Sequence, residues 1–87
     1  MRMFIIRPGS GDQGYEDGLY TGANDGRRGQ SYNPSRSHFF RSATGGYTAR
    51  FGDRDVYKQA YRDGFMRGYE EGYNNWQRYF SGGYFHR

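Results

Sequence analysis

Cysteine is absent from this chain of 87 residues, and aliphatic side chains are scarce. Without cysteine there is no disulfide, no thiolate metal site and no cysteine nucleophile. Only 11 residues are Ala, Val, Ile, Leu or Met, whereas 18 are Tyr, Phe or Trp and 15 are glycine. A chain of this size forms one small domain with a marginal core. The composition excludes an ordinary aliphatic core and favours an aromatic–glycine fold, a fold completed by self-association, or a partly disordered binder.

Long hydrophobic runs are missing as well. No stretch approaches 18 apolar residues, so the sequence predicts no transmembrane helix. Near the N terminus, the apolar run at residues 3–6 is too short for the hydrophobic region of a signal peptide. We expect residues 1–12 to form an N-terminal arm or a short strand. Residues 13–80 are predicted to form a single helical domain, and residues 81–87 an aromatic tail.

Histidine is rare, and this excludes most patterns for a metal site. His38 and His86 are the only histidines, and they do not have the spacing of a zinc motif. Ser37 precedes His38, but adjacency in sequence does not place a base on a nucleophile. The sequence therefore predicts no metal site and no cofactor.

Two segments carry a glycine or alanine every fourth residue. This period is close to the 3.6 residues of a helical turn, so it predicts helices at about 13–28 and about 54–79. Asp12 is expected to cap the first helix, Asp53 or Asp55 the second, and Gly29 to end the first.

A row of glycines inside a helix needs a physical reason, because each costs about 1 kcal/mol relative to alanine. A one-sided row allows a second backbone to approach closely. The sequence therefore predicts a mainly α fold of two closely packed, glycine-grooved helices (GxxxGxxxG), joined by a long Arg/aromatic-rich loop at 29–53. The predicted packing residues are Gly14, Gly18, Gly22, Gly26, Ala60, Gly64, Gly68 and Gly72, with the neighbouring Tyr61, Phe65, Tyr69 and Tyr73.

Two pairs of carboxylates occupy similar positions in these helices. Glu16–Asp17 and Glu70–Glu71 could in principle act as an acid–base set. Their place within nearly identical pentapeptides indicates instead that both pairs lie on exposed helix faces. Together with the lack of nucleophile and metal patterns, this predicts a protein that is not an enzyme.

Positive charge comes almost entirely from arginine, at 12 of 13 basic residues, and the net charge is +4. Residues 26–52 contain five arginines and five aromatic residues but no Asp or Glu. Guanidinium forks and aromatic faces together suit a nucleic acid or another polyanion. Alternatively, these arginines pair with the acidic helices of the same or a neighbouring subunit, and we slightly favour this interpretation. The predicted polyanion-binding residues are Arg27, Arg28, Arg36, Arg41, Arg50, Tyr32, Phe39 and Phe40.

The end of the chain is rich in aromatic side chains. Helical spacing places the first three on one face, in continuation of the stripe formed by Phe65, Tyr69 and Tyr73. A chain this small has little left to cover such a face, and exposed aromatic patches mark interfaces. The predicted self-association residues are Trp76, Tyr79, Phe80, Tyr84 and Phe85.

The pentapeptide Gly14-Tyr15-Glu16-Asp17-Gly18 nearly recurs as Gly68-Tyr69-Glu70-Glu71-Gly72. Across residues 13–75 the chain resembles small Tyr/Gly-rich, largely uncharacterised bacterial proteins with a duplicated YxxG(F/Y) helix motif. The resemblance implies export from the cell and supplies no catalytic residues.

These patterns predict a non-enzymatic structural protein that self-associates into a homo-oligomer or filament through glycine grooves and exposed Tyr and Phe. Two alternatives remain open. One is a nucleic-acid or polyanion binder that uses residues 26–52, and the other is a small inhibitor that docks on a larger complex.

Overall fold

The computed structural model of the chain describes residues 10–80, most of which are helical. The helices are α1 (Ser10–Arg27), α2 (His38–Ser42), α3 (Arg54–Asn74) and α4 (Trp76–Phe80). Two 3₁₀ turns, Pro34–Arg36 and Ala49–Phe51, lie in the connection between α1 and α3. The predicted mainly α class is confirmed, and residues 10–80 contain no strand. The predicted arm at 1–9 and tail at 81–87 lie outside the described residues.

The ends of α1 differ in how well the sequence predicted them. The helix includes Ser10, so Asp12 lies in its first turn and does not cap it. At the other end, Gly29 adopts φ +74° and its amide donates to the carbonyl of Gly26 at 3.2 Å. This left-handed conformation is available to glycine at little cost and ends the helix, as predicted.

Asp53 caps α3. Its Oδ1 accepts hydrogen bonds from the amides of Asp55 at 2.7 Å and Val56 at 3.2 Å, two of the donors that a helix leaves unpaired at its start. Of the two predicted caps, Asp53 is therefore the one observed, and Asp55 lies in the first turn.

The second helix ends earlier than predicted. α3 stops at Asn74, and Asn75 has φ −127° and ψ 29° outside the helical region. The Asn75 side chain donates from Nδ2 to the Glu71 carbonyl oxygen at 3.2 Å, and such local bonds compete with helix continuation. α4 therefore leaves the α3 axis and packs against α1.

The glycines of α1 and α3 lie against each other's backbone. A Cβ on Gly14, Gly18 or Gly22 would overlap the carbonyl oxygens of Tyr61, Phe65 and Tyr69, respectively. Because residue numbers rise together on both helices, α1 and α3 are parallel.

The glycines of α3 contact the backbone of α1 in the same way. A Cβ on Gly64, Gly68 or Gly72 would overlap the carbonyl oxygens of Gly11, Tyr15 and Leu19. Residue i of α1 is thus equivalent to residue i+50 of α3, which gives the pair a local twofold relation. The glycine rows are filled within the chain, so any self-association has to use other surfaces.

Five aromatic rings form a ladder along one side of α3. Tyr57, Tyr61, Phe65, Tyr69 and Tyr73 stack with centroid separations of 5.9–6.4 Å and interplanar angles of 19–25°. The inner three rings are fully buried and form the core together with Ala43. This ladder replaces the aliphatic core that the composition excludes.

The connection at residues 28–53, here called the belt, covers the ladder. It runs from the Tyr73 end, where the Tyr73 hydroxyl donates to the Gln30 carbonyl at 2.5 Å. It ends beside Tyr57, whose hydroxyl donates to the Gly45 carbonyl at 2.5 Å. The predicted long loop is therefore an ordered layer, and it covers the aromatic stripe of Phe65, Tyr69 and Tyr73.

Candidate interaction site

Two tyrosine–carboxylate pairs join the ladder to α1. The Tyr61 hydroxyl donates to Asp17 Oδ2, and the Tyr69 hydroxyl donates to Asp25 Oδ2 at 2.5 Å. Burial, followed by these carboxylates, raises the pKa of Tyr69 to about 12 and that of Tyr61 further. Tyr69 also accepts from the Asn33 amide at 3.2 Å, which ties the belt to the same pair.

Sequence reasoning missed the role of these two aspartates. A signal was present, because Asp17 and Asp25 are eight residues apart, as are Tyr61 and Tyr69. Phe65, between the two tyrosines, has no hydroxyl and needs no acceptor. Equal spacing of donors and acceptors on paired helices would have predicted these contacts.

Both members of each carboxylate pair were predicted to be exposed, but only one member of each pair is. Glu16 and Glu70 are exposed, but Asp17 and Glu71 are half-buried. Glu71 accepts from the Tyr79 hydroxyl at 3.0 Å, so it has the same kind of partner as Asp17. In each pair, one member faces solvent and the other anchors a tyrosine.

The arginines that were predicted to bind a polyanion differ in their partners within the chain. Arg36 forms an ion pair with Asp25 at 3.2 Å and donates to the Ser31 carbonyl at 2.8 Å. Arg41 donates to the Arg36 carbonyl at 2.7 Å, and Arg27 to Asn24 at 3.3 Å. Arg36 thus pairs with an acidic residue of the same chain, as the alternative interpretation expected. Arg28 and Arg50 are exposed.

The aromatic residues of the belt divide into inward and outward groups. Phe40 packs on Phe65 with 5.7 Å between ring centroids, and Tyr32 meets Tyr69 and Tyr73 edge-on at 5.1 Å. Phe39 points outward and is 49% exposed. Of the predicted polyanion-binding aromatics, Phe40 is therefore largely used by the core.

Arg62 of α3 is a belt anchor that the sequence did not reveal. Its Nε donates to the Phe40 carbonyl at 3.0 Å, and its Nη2 donates to the Arg41 carbonyl at 2.7 Å. The guanidinium also lies 5.7 Å from the Phe40 ring centroid. One side chain thus holds the end of α2 against α3.

The predicted self-association residues lie on α4 and beyond it. Trp76 approaches Gly26, where a Cβ would lie 2.8 Å from the indole Cδ1, and Tyr79 bonds Glu71. Phe80 ends α4, while Tyr84 and Phe85 lie outside the described residues. Since α4 turns toward α1, Trp76 and Tyr79 do not continue the stripe of Phe65, Tyr69 and Tyr73.

An open apolar recess lies between α1 and α4. Its volume is about 240 Å³, and Leu19, Ala23 and Tyr79 are among the residues that line it. Glu16 and Tyr20 complete the lining, and Tyr20 is 57% exposed. We call the surface formed by these five residues the recess face.

His38 is the one histidine among residues 10–80, and it lies exposed at the start of α2. His38 Nε2 lies 3.4 Å from Ser42 Oγ at the exposed surface, while Ser37 caps α2 by accepting from the Phe39 amide at 3.1 Å. No group of three His, Asp or Glu side chains comes together there as metal ligands would. In the same range, no helix is both long and apolar enough to cross a membrane.

Comparisons with protein-family models, curated proteins and solved structures gave no match. The candidate surfaces are therefore interpreted from their own chemistry.

Proposed function

We propose that this protein is non-enzymatic and acts structurally, by self-association into homo-oligomers or filaments. The observation that carries the proposal is the number of large side chains left at the surface once the chain has folded. Apolar and aromatic side chains that are 37–66% exposed occur on α1, the belt and α3. Tyrosine, phenylalanine, methionine and arginine are the residue types enriched in the contact regions of protein interfaces.

The close packing of α1 on α3 supports the proposal indirectly. We infer that the glycine rows serve to hold the helix pair together, because each substitution would push one backbone into the other. With the grooves occupied and the ladder covered, the outer side chains of the belt and α1 remain for contacts between copies.

The test measures mass against protein concentration by light scattering, at low and at high salt. Self-association predicts a mass that rises with concentration, and negative-stain electron microscopy then distinguishes closed rings from filaments. A mass that stays at the monomer value across the whole concentration range contradicts the proposal.

A polyanion-binding function is the second candidate, and the composition of the belt favours it. Residues 26–52 contain no Asp or Glu, and within this segment Arg28, Arg50, Tyr32 and Phe39 are all exposed. Single-stranded DNA is the probe, and exposed arginines predict binding that weakens as salt rises. Replacing Arg28 and Arg50 with Gln should flatten that salt dependence, whereas Lys58→Gln on α3 is the matched control.

A further inference from the structure

The hydroxyl groups of the ladder meet two kinds of acceptor. Tyr57 and Tyr73 donate to backbone carbonyls of the belt, whereas Tyr61 and Tyr69 donate to carboxylates of α1. The difference matters when a ring loses an electron, because the phenol then becomes a strong acid. A carboxylate can take its proton, but a backbone carbonyl is too weak a base. Tyr61 and Tyr69 are therefore the rings of the ladder that can become neutral tyrosyl radicals without help from solvent.

The two carboxylates differ in their other partners. Asp25 Oδ2 accepts from the Tyr69 hydroxyl at 2.5 Å and also lies 3.2 Å from the Arg36 guanidinium. This cation stabilises the ionised carboxylate and opposes its protonation. Asp17 instead accepts at its second oxygen from the neutral amide of Gln13, at 3.1 Å. Transfer of a proton from a phenol is therefore easier to Asp17 than to Asp25.

The ring that bonds Asp17 is both protected and connected to the surface. Tyr61 is fully buried, and a Cβ on Gly45 of the belt would lie 3.2 Å from its hydroxyl oxygen. A radical enclosed in this way cannot couple with a ring of another molecule. Tyr57 stacks on Tyr61 with 6.4 Å between centroids, and half-buried Tyr47 meets Tyr57 at 5.0 Å. An electron can pass between rings at these separations, so an oxidant need not enter the core.

We propose that the ladder is a one-electron redox site, in which Tyr61 is oxidised to a neutral radical and Asp17 is the base that takes its proton. The oxidant is a one-electron acceptor at the protein surface, of the class of high-valent metal complexes and organic radicals. One electron leaves the Tyr61 phenol through the neighbouring rings and reduces the oxidant, while the phenol proton moves to Asp17 Oδ2. The products are a tyrosyl radical, a neutral carboxylic acid and the reduced oxidant, so atoms and electrons balance.

The proposed activity goes beyond self-association and does not depend on it. A surface oxidant is reduced without a cofactor, and its oxidising equivalent is held where it cannot cross-link two molecules. Return of one electron restores the phenol, because the proton on Asp17 moves back to the Tyr61 oxygen. The protein would thus act as a reversible electron donor rather than as an enzyme.

The test uses the full-length protein and photogenerated tris(bipyridine)ruthenium(III) as the oxidant. Transient absorbance and electron paramagnetic resonance follow the tyrosyl radical. We expect a long-lived radical with first-order decay at a rate independent of protein concentration, because radicals on exposed rings decay by coupling between molecules and a buried one does not.

The dependence on buffer tests the internal base. The titratable groups that face the Tyr61 hydroxyl are Asp17 of α1 and Tyr57 of α3, and the belt presents the Gly45 backbone. Between about pH 6 and about pH 9 a carboxyl group is ordinarily ionised and a phenol protonated. Formation of the long-lived radical in this range should not accelerate with buffer concentration, because the proton is accepted within the protein.

Asp17→Asn is the decisive variant, because the amide oxygen can still accept from the Tyr61 hydroxyl but cannot take its proton. Formation of the long-lived radical should slow about tenfold or more and should then accelerate with buffer concentration. Asp63→Asn removes an exposed carboxylate of α3 and is the matched control, which should behave like the parent. Tyr61→Phe should lose the long-lived radical, whereas Tyr69→Phe should keep it.

Circular dichroism establishes that each variant is folded. A radical that decays faster at higher protein concentration, or that persists in Tyr61→Phe, would overturn the assignment to the buried ring. An unchanged rate in Asp17→Asn, or a parent whose rate rises with buffer, would overturn the role of Asp17. If a variant does not fold, the concentration and buffer dependence of the parent decide the proposal alone. Light scattering decides self-association separately, so the two proposals can fail independently.

Discussion

Gly68 shows how a single hydrogen atom in place of a side chain decides the helix pairing. A Cβ at this position would overlap the Tyr15 carbonyl oxygen and lie 2.8 Å from the Leu19 amide nitrogen. Both groups belong to the α1 backbone, so no side-chain rotation can relieve the clash. This glycine stabilises the packing of α1 on α3, although glycine is a poor helix former.

We therefore expect Gly68→Ala to lower the free energy of unfolding by about 3 kcal/mol, although alanine is the better helix former. Gly11→Ala is the matched control, since a Cβ there meets nothing within 4 Å. Its stability should be unchanged or up to about 1 kcal/mol higher. Urea unfolding followed by circular dichroism measures both, and equal stability of the two variants would contradict the close packing.

The Tyr61 hydroxyl is a second decisive group at this scale. Tyr61→Phe keeps the ring in the ladder but leaves Asp17 without its buried donor. We expect a loss of about 1–3 kcal/mol in the free energy of unfolding, because Asp17 Oδ2 loses this donor and only the Gln13 bond to Oδ1, at 3.1 Å, remains. Tyr20→Phe removes an exposed hydroxyl and should have no effect, so a similar loss in both variants would argue against the pair.

At the scale of elements, the ladder and the belt form one unit. The rings stack along α3, and their hydroxyls hold either α1 carboxylates or belt carbonyls. Each of these bonds requires the protonated tyrosine, because it donates the hydrogen. The unit should therefore be sensitive to alkali.

The pH dependence of stability follows from the raised tyrosine pKa values. An unfolded tyrosine ionises near pH 10, whereas the pKa of Tyr69 in the folded chain is about 12. Its contribution is complete below about pH 10 and is lost as the pH rises towards 12, since the unfolded state releases its proton first. Each such tyrosine lowers the free energy of unfolding by about 1.4 kcal/mol per pH unit in this window.

Urea midpoints measured between about pH 8 and about pH 11 check this expectation, with tyrosinate absorbance as a second observable. The Tyr69→Phe variant should show a shallower decline than the parent. A parent whose midpoint does not fall above pH 10 would refute the coupling of the ladder to folding.

At the scale of the whole molecule, α4 is peripheral to the core and central to the recess. Apart from the contact of Trp76 with Gly26, the glycine contacts, the ladder and the belt are formed within residues 10–75, and α4 adds contacts to one side of α1. Removing α4 should leave the helix pair folded while it removes Tyr79 from the lining of the recess.

Deletion of residues 76–87 should therefore preserve cooperative unfolding by circular dichroism but reduce the mass measured by light scattering to that of monomers or small closed species. Deletion of 81–87 alone leaves α4 intact and shows whether Tyr84 and Phe85 contribute. Loss of cooperative unfolding after the longer deletion would place α4 in the core and contradict this division.

The sequence by itself determined the helical class and several helix ends. A period of four matches a helical turn, Asp53 has a side chain suited to capping, and Gly29 can adopt a positive φ, so local chemistry was sufficient at each of these points. The break at Asn75 was missed, because an asparagine within an aromatic-rich stretch is compatible with either a helix or a turn.

Only the tertiary structure decided direction, register and exposure. Glycines repeat every four residues on both helices, so several registers are equally good for the backbone alone. Matching the two near-identical pentapeptides would pair residue i with i+54, whereas the structure pairs i with i+50. The hydrogen bonds of Tyr61 with Asp17 and Tyr69 with Asp25 fit this register, because a shift of one turn would place Phe65 opposite a carboxylate. These bonds join residues 44 apart, beyond the reach of any local pattern, and the same long-range packing placed the belt over the ladder.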